Sequence, residues 1–156
     1  MGQTSTYKCD TCGYEVQISE GIGMLFPAEY RQTLQDAKEG KLGEVVRQFF
    51  AEHPDGAMNI EDTFGLCEQC REYVCVPDYS MYVPKEGDEH QKFCTEAEYV
   101  TAEDLKEHYR LVRRYPHLCE KCSTPLKMNG RFRHQGKLRC PKCGQDMNQT
   151  GGLLWD

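Results

Sequence analysis

Cys119-Glu-Lys-Cys122 and, after 17 further residues, Cys140-Pro-Lys-Cys143-Gly144 are the most tightly constrained stretch of this 156-residue chain. A two-residue gap lets one tight turn aim two sulfurs and some backbone amides at a single point, so each Cys-x2-Cys knuckle is half of a four-thiolate metal site. The separation of the two knuckles lies in the range usual for such sites. Two more knuckles come earlier, Cys9/Cys12 and Cys67/Cys70, so eight of the ten cysteines are spoken for. Pairing neighbours along the chain gives a first site from Cys9, Cys12, Cys67 and Cys70 and a second from Cys119, Cys122, Cys140 and Cys143. The expected cofactor is Zn2+, two per chain, structural because four thiolates leave no open coordination position. Between Cys12 and Cys67 lie 54 residues, too many for a simple ribbon hairpin, so the first site is expected to carry an insertion.

Two of the knuckles carry a resemblance. Tyr7-Lys-Cys9-Asp-Thr-Cys12-Gly13-Tyr14 and Leu138-Arg-Cys140-Pro141-Lys-Cys143-Gly144 resemble the knuckles of the zinc-ribbon and rubredoxin-like families, and about 40 C-terminal residues are similar to an ordinary zinc ribbon. The rubredoxin-like resemblance implies iron and electron transfer. Since its two halves lie far apart in sequence, each with a nearer partner, zinc without redox chemistry is the expected occupant and a thiol- or iron-based redox protein is the alternative.

Composition agrees with small metal-stapled modules, because 38% hydrophobic and 28% charged residues leave modest material for one large core. No stretch approaches the ~20 apolar residues of a membrane helix, and Met1-Gly-Gln-Thr-Ser-Thr6 lacks the basic and apolar regions of a signal peptide. With paired cysteine spacing, these features predict a cytoplasmic chain with no membrane partner.

Tyr14, Val16 and Ile18 alternate with polar residues, which predicts a strand leaving the first knuckle. Pro27 starts a helix with Tyr30, Leu34 and Ala37 on one face and Gly40 as its stop. Leu42, Val45, Val46, Phe49 and Phe50 give the apolar stripe of a second helix, ended by His53-Pro-Asp-Gly56. This helical hairpin, about residues 20–57, is the expected insertion. Tyr73 to Val83 reads as strands, or one strand bent at Pro77, and Pro84 to His90 as an exposed acidic loop. Thr101-Ala-Glu-Asp104 is a capping box, followed by Leu105, Tyr109 and Val112 at helical spacing, with Arg110, Arg113 and Arg114 in the last turns. Leu126–Met128 and Phe132–His134 are predicted to form a hairpin around Asn129-Gly130, and Leu153-Leu-Trp155 to dock back as an apolar tail. The expected fold class is therefore α+β, with two small zinc-ribbon modules joined through a helix. Residues 1–84 form the first module, 85–115 an acidic loop and connecting helix, and 116–156 a basic ribbon.

Charge divides unevenly. Residues 1–104 hold 8 basic and 21 acidic side chains, a balance of −13, whereas residues 105–156 hold 11 and 4, a balance of +7. Arg131, Phe132, Arg133, Lys137 and Arg139 offer cations for phosphates and a ring for base stacking, the pattern of a nucleic-acid interface. A second reading stands beside it: a zinc ion held by four thiolates carries a local charge near −2, and Lys121, Arg139 and Lys142 beside the knuckles offset it. Cys75 and Cys94 remain, read as buried thiols; a sharper reading joins them with His90, which stands in a His-x3-Cys arrangement with Cys94, as a third metal site or a reactive thiol pair. No catalytic motif is present, so an enzyme is not expected. The predicted role is a zinc-binding adaptor or regulatory protein that recognises a protein or a nucleic acid through its basic ribbon, with no oligomeric state implied.

Overall fold

A computed structural model describes residues 2–87, 99–128 and 132–155. In chain order the elements are β1 (Gly2–Lys8), β2 (Glu15–Gly21), α1 (Phe26–Lys38), α2 (Glu44–Glu52), β3 (Ala57–Met58), β4 (Asp62–Cys67), β5 (Glu72–Pro77), β6 (Met81–Pro84), α3 (Ala102–His108), β7 (Tyr109–Arg113), β8 (Arg133–His134), β9 (Lys137–Leu138) and β10 (Asn148–Trp155). Helix and sheet are mixed, as an α+β chain requires. They divide into two compact units, each assembled from separated segments: Met1–Gly23 with Asp62–Pro77 and Pro116–Asp156, and Met24–Glu61 with Asp78–Tyr115.

The first unit is built on a five-stranded sheet in the order β10-β1-β2-β4-β5. Alternation on β1 and β2 sorts the side chains: Ser5, Tyr7 and Ile18 are buried, whereas Gln17 is exposed and Thr4, Thr6 and Ser19 are half-covered. Tyr7 and Ile18 join Phe64, Tyr73, Leu138 and Met147 in a core that also takes in Cys9 and Cys140. Cys67 and Cys119 pack with Leu126 in a second, smaller cluster. The expected apolar tail docks as β10, antiparallel to β1 with Trp155 opposite Gly2. A Cβ at position 2 would run into the Trp155 ring, whose Nε1 donates to Thr4 Oγ1 at 3.0 Å. Leu153 and Leu154 stay exposed, so backbone pairing and tryptophan hold the tail rather than leucine burial.

The second unit contains α1, α2, α3 and the sheet β3-β6-β7. Pro27 opens α1 as expected, and α1 packs on α2, which buries Val46, Phe49 and Phe50. A polar clasp joins Asn59 to Asp78 (2.8 Å) and Ser80 to Asp78 (2.6 Å), with Tyr79 N donating to Asn59 O. Tyr73 to Val83 is two strands, β5 and β6, in different sheets. The capping box forms in full: Thr101 Oγ1 accepts from Asp104 N at 3.1 Å and Asp104 Oδ2 accepts from Thr101 N at 2.9 Å.

Two local expectations are corrected. The helix begun at Thr101 ends at His108, and Tyr109–Arg113 is a strand paired with β6. Tyr-Arg-Leu-Val is aromatic and branched, and with β6 available to pair, the ladder outweighs a helical continuation. Arg110 and Arg113 thus lie on a strand, with Arg114 just beyond it. The C-terminal hairpin is also displaced: β8 pairs with β9 around Gln135 and Gly136, both at positive φ, the geometry of a tight two-residue loop. Lys127, from the segment expected to pair there, instead exchanges backbone hydrogen bonds with Leu66 of β4. The expected Asn129-Gly130 turn lies outside the described residues, as do Arg131, His90 and Cys94.

Candidate metal centres

All four knuckles share one backbone device. At three of them the cysteine that opens the knuckle donates its N–H to the carbonyl five residues on, and its own carbonyl accepts from the N–H four residues on. Cys9 thus bonds with Tyr14 and Gly13, Cys119 with Thr124 and Ser123, and Cys140 with Gln145 and Gly144, all at 2.8 Å. The residue four positions after the first cysteine is left-handed in every case: Gly13 (φ 76°), Arg71 (φ 53°), Ser123 (φ 59°) and Gly144 (φ 77°). That conformation turns the chain back sharply enough for both sulfurs of a knuckle to face the same way, and only glycine adopts it without strain.

The sulfurs converge in two groups of four, Cys9, Cys12, Cys140 and Cys143 in one and Cys67, Cys70, Cys119 and Cys122 in the other. The expected partners are therefore exchanged: the first knuckle meets the fourth and the second meets the third, one centre nested within the other along the chain. Sheet topology is the cause. Strands β1 and β2 present their knuckle to the segment leading into β10, which pairs with β1, while β4 draws the segment after the third knuckle onto its edge through Leu66 and Lys127. Gly65 permits that approach, since a Cβ there would lie 2.6 Å from Met128 Sδ and 3.2 Å from Leu126 Cβ.

Both groups fit a four-coordinate ion. Sulfurs bound about 2.3 Å from a tetrahedral centre are about 3.8 Å apart. Across the outer centre Cys9–Cys143 and Cys12–Cys140 are 3.4 and 3.5 Å apart, and across the inner one Cys67–Cys122 and Cys70–Cys119 are 3.4 and 3.9 Å apart. The thiols are free of disulfides. Their protonation is uneven without metal. The Cys12 backbone amide above all holds the Cys9 thiol down to about 6, and Thr124, through its hydroxyl and then its amide, does the same for Cys122. Cys70 is pushed up to about 12, first by its bond with Cys122 and then by burial. Four close sulfurs cannot all ionise unaided, and a bound cation would stabilise them together.

The cations around the centres are largely committed. Glu72 accepts from Lys121 of the third knuckle and lies 3.6 Å from Lys142 of the fourth, which also donates to Cys70 O at 3.0 Å. These contacts hold the Glu72 carboxyl below its usual range, Lys121 being the main cause. Lys127 pairs with Glu68. Of the expected nucleic-acid residues, Arg133 pairs with Glu20 at 3.0 Å and donates to the Tyr7 hydroxyl at 3.0 Å. Phe132 is half-buried among Phe64 and Tyr73, centroids 5.6 and 5.4 Å away, and is no open stacking platform. Lys137 and Arg139 are exposed, and Arg131 lies outside the described residues.

Cys75 corrects another expectation: it is exposed, not buried. Its Sγ accepts from Ser19 N at 3.4 Å and lies 3.5 Å from Gln17 O, capping backbone groups of β2. Among the described residues no helix is long and apolar enough to cross a membrane. No family profile, curated protein or solved structure matches the chain.

Proposed function

We propose that the chain is a zinc-stapled, non-catalytic adaptor that binds a protein partner. Both centres hold structural Zn2+, because four thiolates satisfy a tetrahedral ion and leave no position for substrate or water. The observation that carries the choice of partner is the use of the C-terminal cations: Lys121, Lys127, Arg133 and Lys142 pair with Glu72, Glu68 and Glu20 of the N-terminal hairpins. With Phe132 half-buried against the aromatic core, the ribbon keeps little of the cationic and stacking surface a nucleic acid needs.

A second reading has one specific observation in its favour. The outer centre brings together the two knuckles that resemble the rubredoxin-like families, Cys9–Gly13 and Cys140–Gly144, as the iron alternative requires. Elemental analysis of protein purified without added metal separates the two. Two zinc ions per chain are expected, and no salt-sensitive binding of a single-stranded oligonucleotide at low ionic strength. One iron with a visible thiolate-to-iron band favours electron transfer instead, and oligonucleotide binding restores the nucleic-acid role.

A further inference from the structure

Arg110-Leu-Val-Arg-Arg114 is exposed at five successive positions, although four of them belong to a strand. A strand with one face packed alternates between covered and open residues, so this run leaves side chains on both faces uncovered. Leu111 and Val112 are 39% and 41% accessible, two adjacent aliphatic side chains open to solvent between the arginines. Strand β7 is also the edge of its sheet, in the order β3-β6-β7, so one row of its backbone groups lacks a neighbouring strand among the described residues. Val112 falls where the register with β6 slips, between Leu111 opposite Tyr82 and Arg113 opposite Met81. Among the described residues, Arg110, Arg113 and Arg114 form no ion pair, in contrast to Lys121, Lys127, Arg133 and Lys142.

Charge on an edge strand guards against pairing with another copy, because like charges would meet across the new ladder. That guard is selective. It excludes a second β7 and leaves the edge open to a strand of opposite sign. The aliphatic pair argues against nucleic acid, which gains nothing from Leu111 and Val112. Both nearby tyrosines are otherwise occupied: Tyr109 is buried, and the Tyr115 hydroxyl donates to Leu42 O at 3.1 Å.

Resting on the protein-binding reading above, we propose that the outer edge of β7 receives an extended acidic segment of a partner protein as an added strand. Backbone hydrogen bonds supply the ladder, Arg110, Arg113 and Arg114 meet carboxylates, and Leu111 and Val112 meet the aliphatic residues between them.

The test uses the full zinc-loaded chain and three fluorescent probes: a peptide of alternating glutamate and valine, its lysine–valine counterpart, and an oligothymidylate of matched charge. The acidic peptide is expected to bind saturably, more weakly as salt rises, and to slow amide hydrogen exchange at residues 110–114. Reversing two exposed charges, Arg110→Glu with Arg113→Glu, should weaken it by about tenfold while zinc content stays at the wild-type value. Acidic-peptide binding that the reversal leaves unchanged would overturn the β7 assignment and leave the protein-binding reading intact. Binding of oligothymidylate but neither peptide would overturn both. Equal binding of the two peptides, binding without slowed exchange at 110–114, or no binding of any probe would overturn the β7 assignment.

Discussion

The outer and inner centres reach the same knuckle geometry from different residues. Outer knuckles turn on Gly13 and Gly144; inner ones turn on Arg71 and Ser123, which hold a left-handed backbone that costs a non-glycine residue about 1–2 kcal/mol. The two glycine knuckles meet in one cluster of four thiols and the two strained knuckles in the other, so the residue after the second cysteine sorts the four knuckles correctly where distance along the chain does not. Strain is tolerated at the inner centre because the ladder between Leu66 and Lys127 holds the turn from one side, and a metal bound by the four thiols would hold it from the other.

The largest effects should come from the ligands. Structural zinc contributes about 10–16 kcal/mol in small systems, comparable with the whole stability of a domain at about 5–15 kcal/mol. Cys140→Ser and Cys67→Ser are each expected to lose one zinc by elemental analysis and to abolish the cooperative unfolding transition of the sheet unit. Loop length distinguishes them little. Outer ligands Cys12 and Cys140 are 128 positions apart and inner ligands Cys70 and Cys119 are 49 apart. The difference in closure entropy is only about 0.9 kcal/mol. If Cys67→Ser kept both ions, the nested grouping would fail at the inner centre.

Smaller, opposite effects should follow at the turn residues. Gly144→Ala meets no atom within 4 Å, so only backbone strain opposes it. Relief of glycine's unfolded-state freedom offsets about half of that, leaving a net loss of about 0.5–1 kcal/mol. Ser123→Gly should gain about 0.5 kcal/mol by the reverse balance. Denaturant titration of the zinc-loaded variants reads both, and equal signs would remove strain as the distinction between the centres.

The smallest effect expected is at Glu72, which faces a lysine from each centre. Glu72→Gln should cost about 0.5 kcal/mol or less near neutral pH, because the pairs are exposed. Since folding depresses this carboxyl, its contribution is present above the ordinary carboxylate range and fades as pH falls through the lowered value. Wild type and variant should converge in acid, which stability curves against pH would show; a gap that widens in acid contradicts the pairing.

Much of this was legible in the chain. Cysteine spacing marked all eight cysteines of the two clusters, the capping box at Thr101 marked a helix start, and Pro27 marked another. What escaped was long-range. The grouping of knuckles depends on which strands adjoin, and spacing alone favoured nearest neighbours; the glycines at 13 and 144 and the resemblance of just those two knuckles were the available signals. The strand at Tyr109 escaped because its apolar residues also fit a helical period, and only the presence of β6 decides between them. The inward commitment of Arg133 and Phe132 escaped because charge counts do not show which acids lie opposite.

The nested grouping of the eight thiols is open to direct test. Replacing both ions with 113Cd and correlating each cadmium resonance with cysteine β-protons tests it directly. One cadmium should correlate with Cys9, Cys12, Cys140 and Cys143 and the other with Cys67, Cys70, Cys119 and Cys122. A cadmium correlated with Cys119, Cys122, Cys140 and Cys143 together would contradict it.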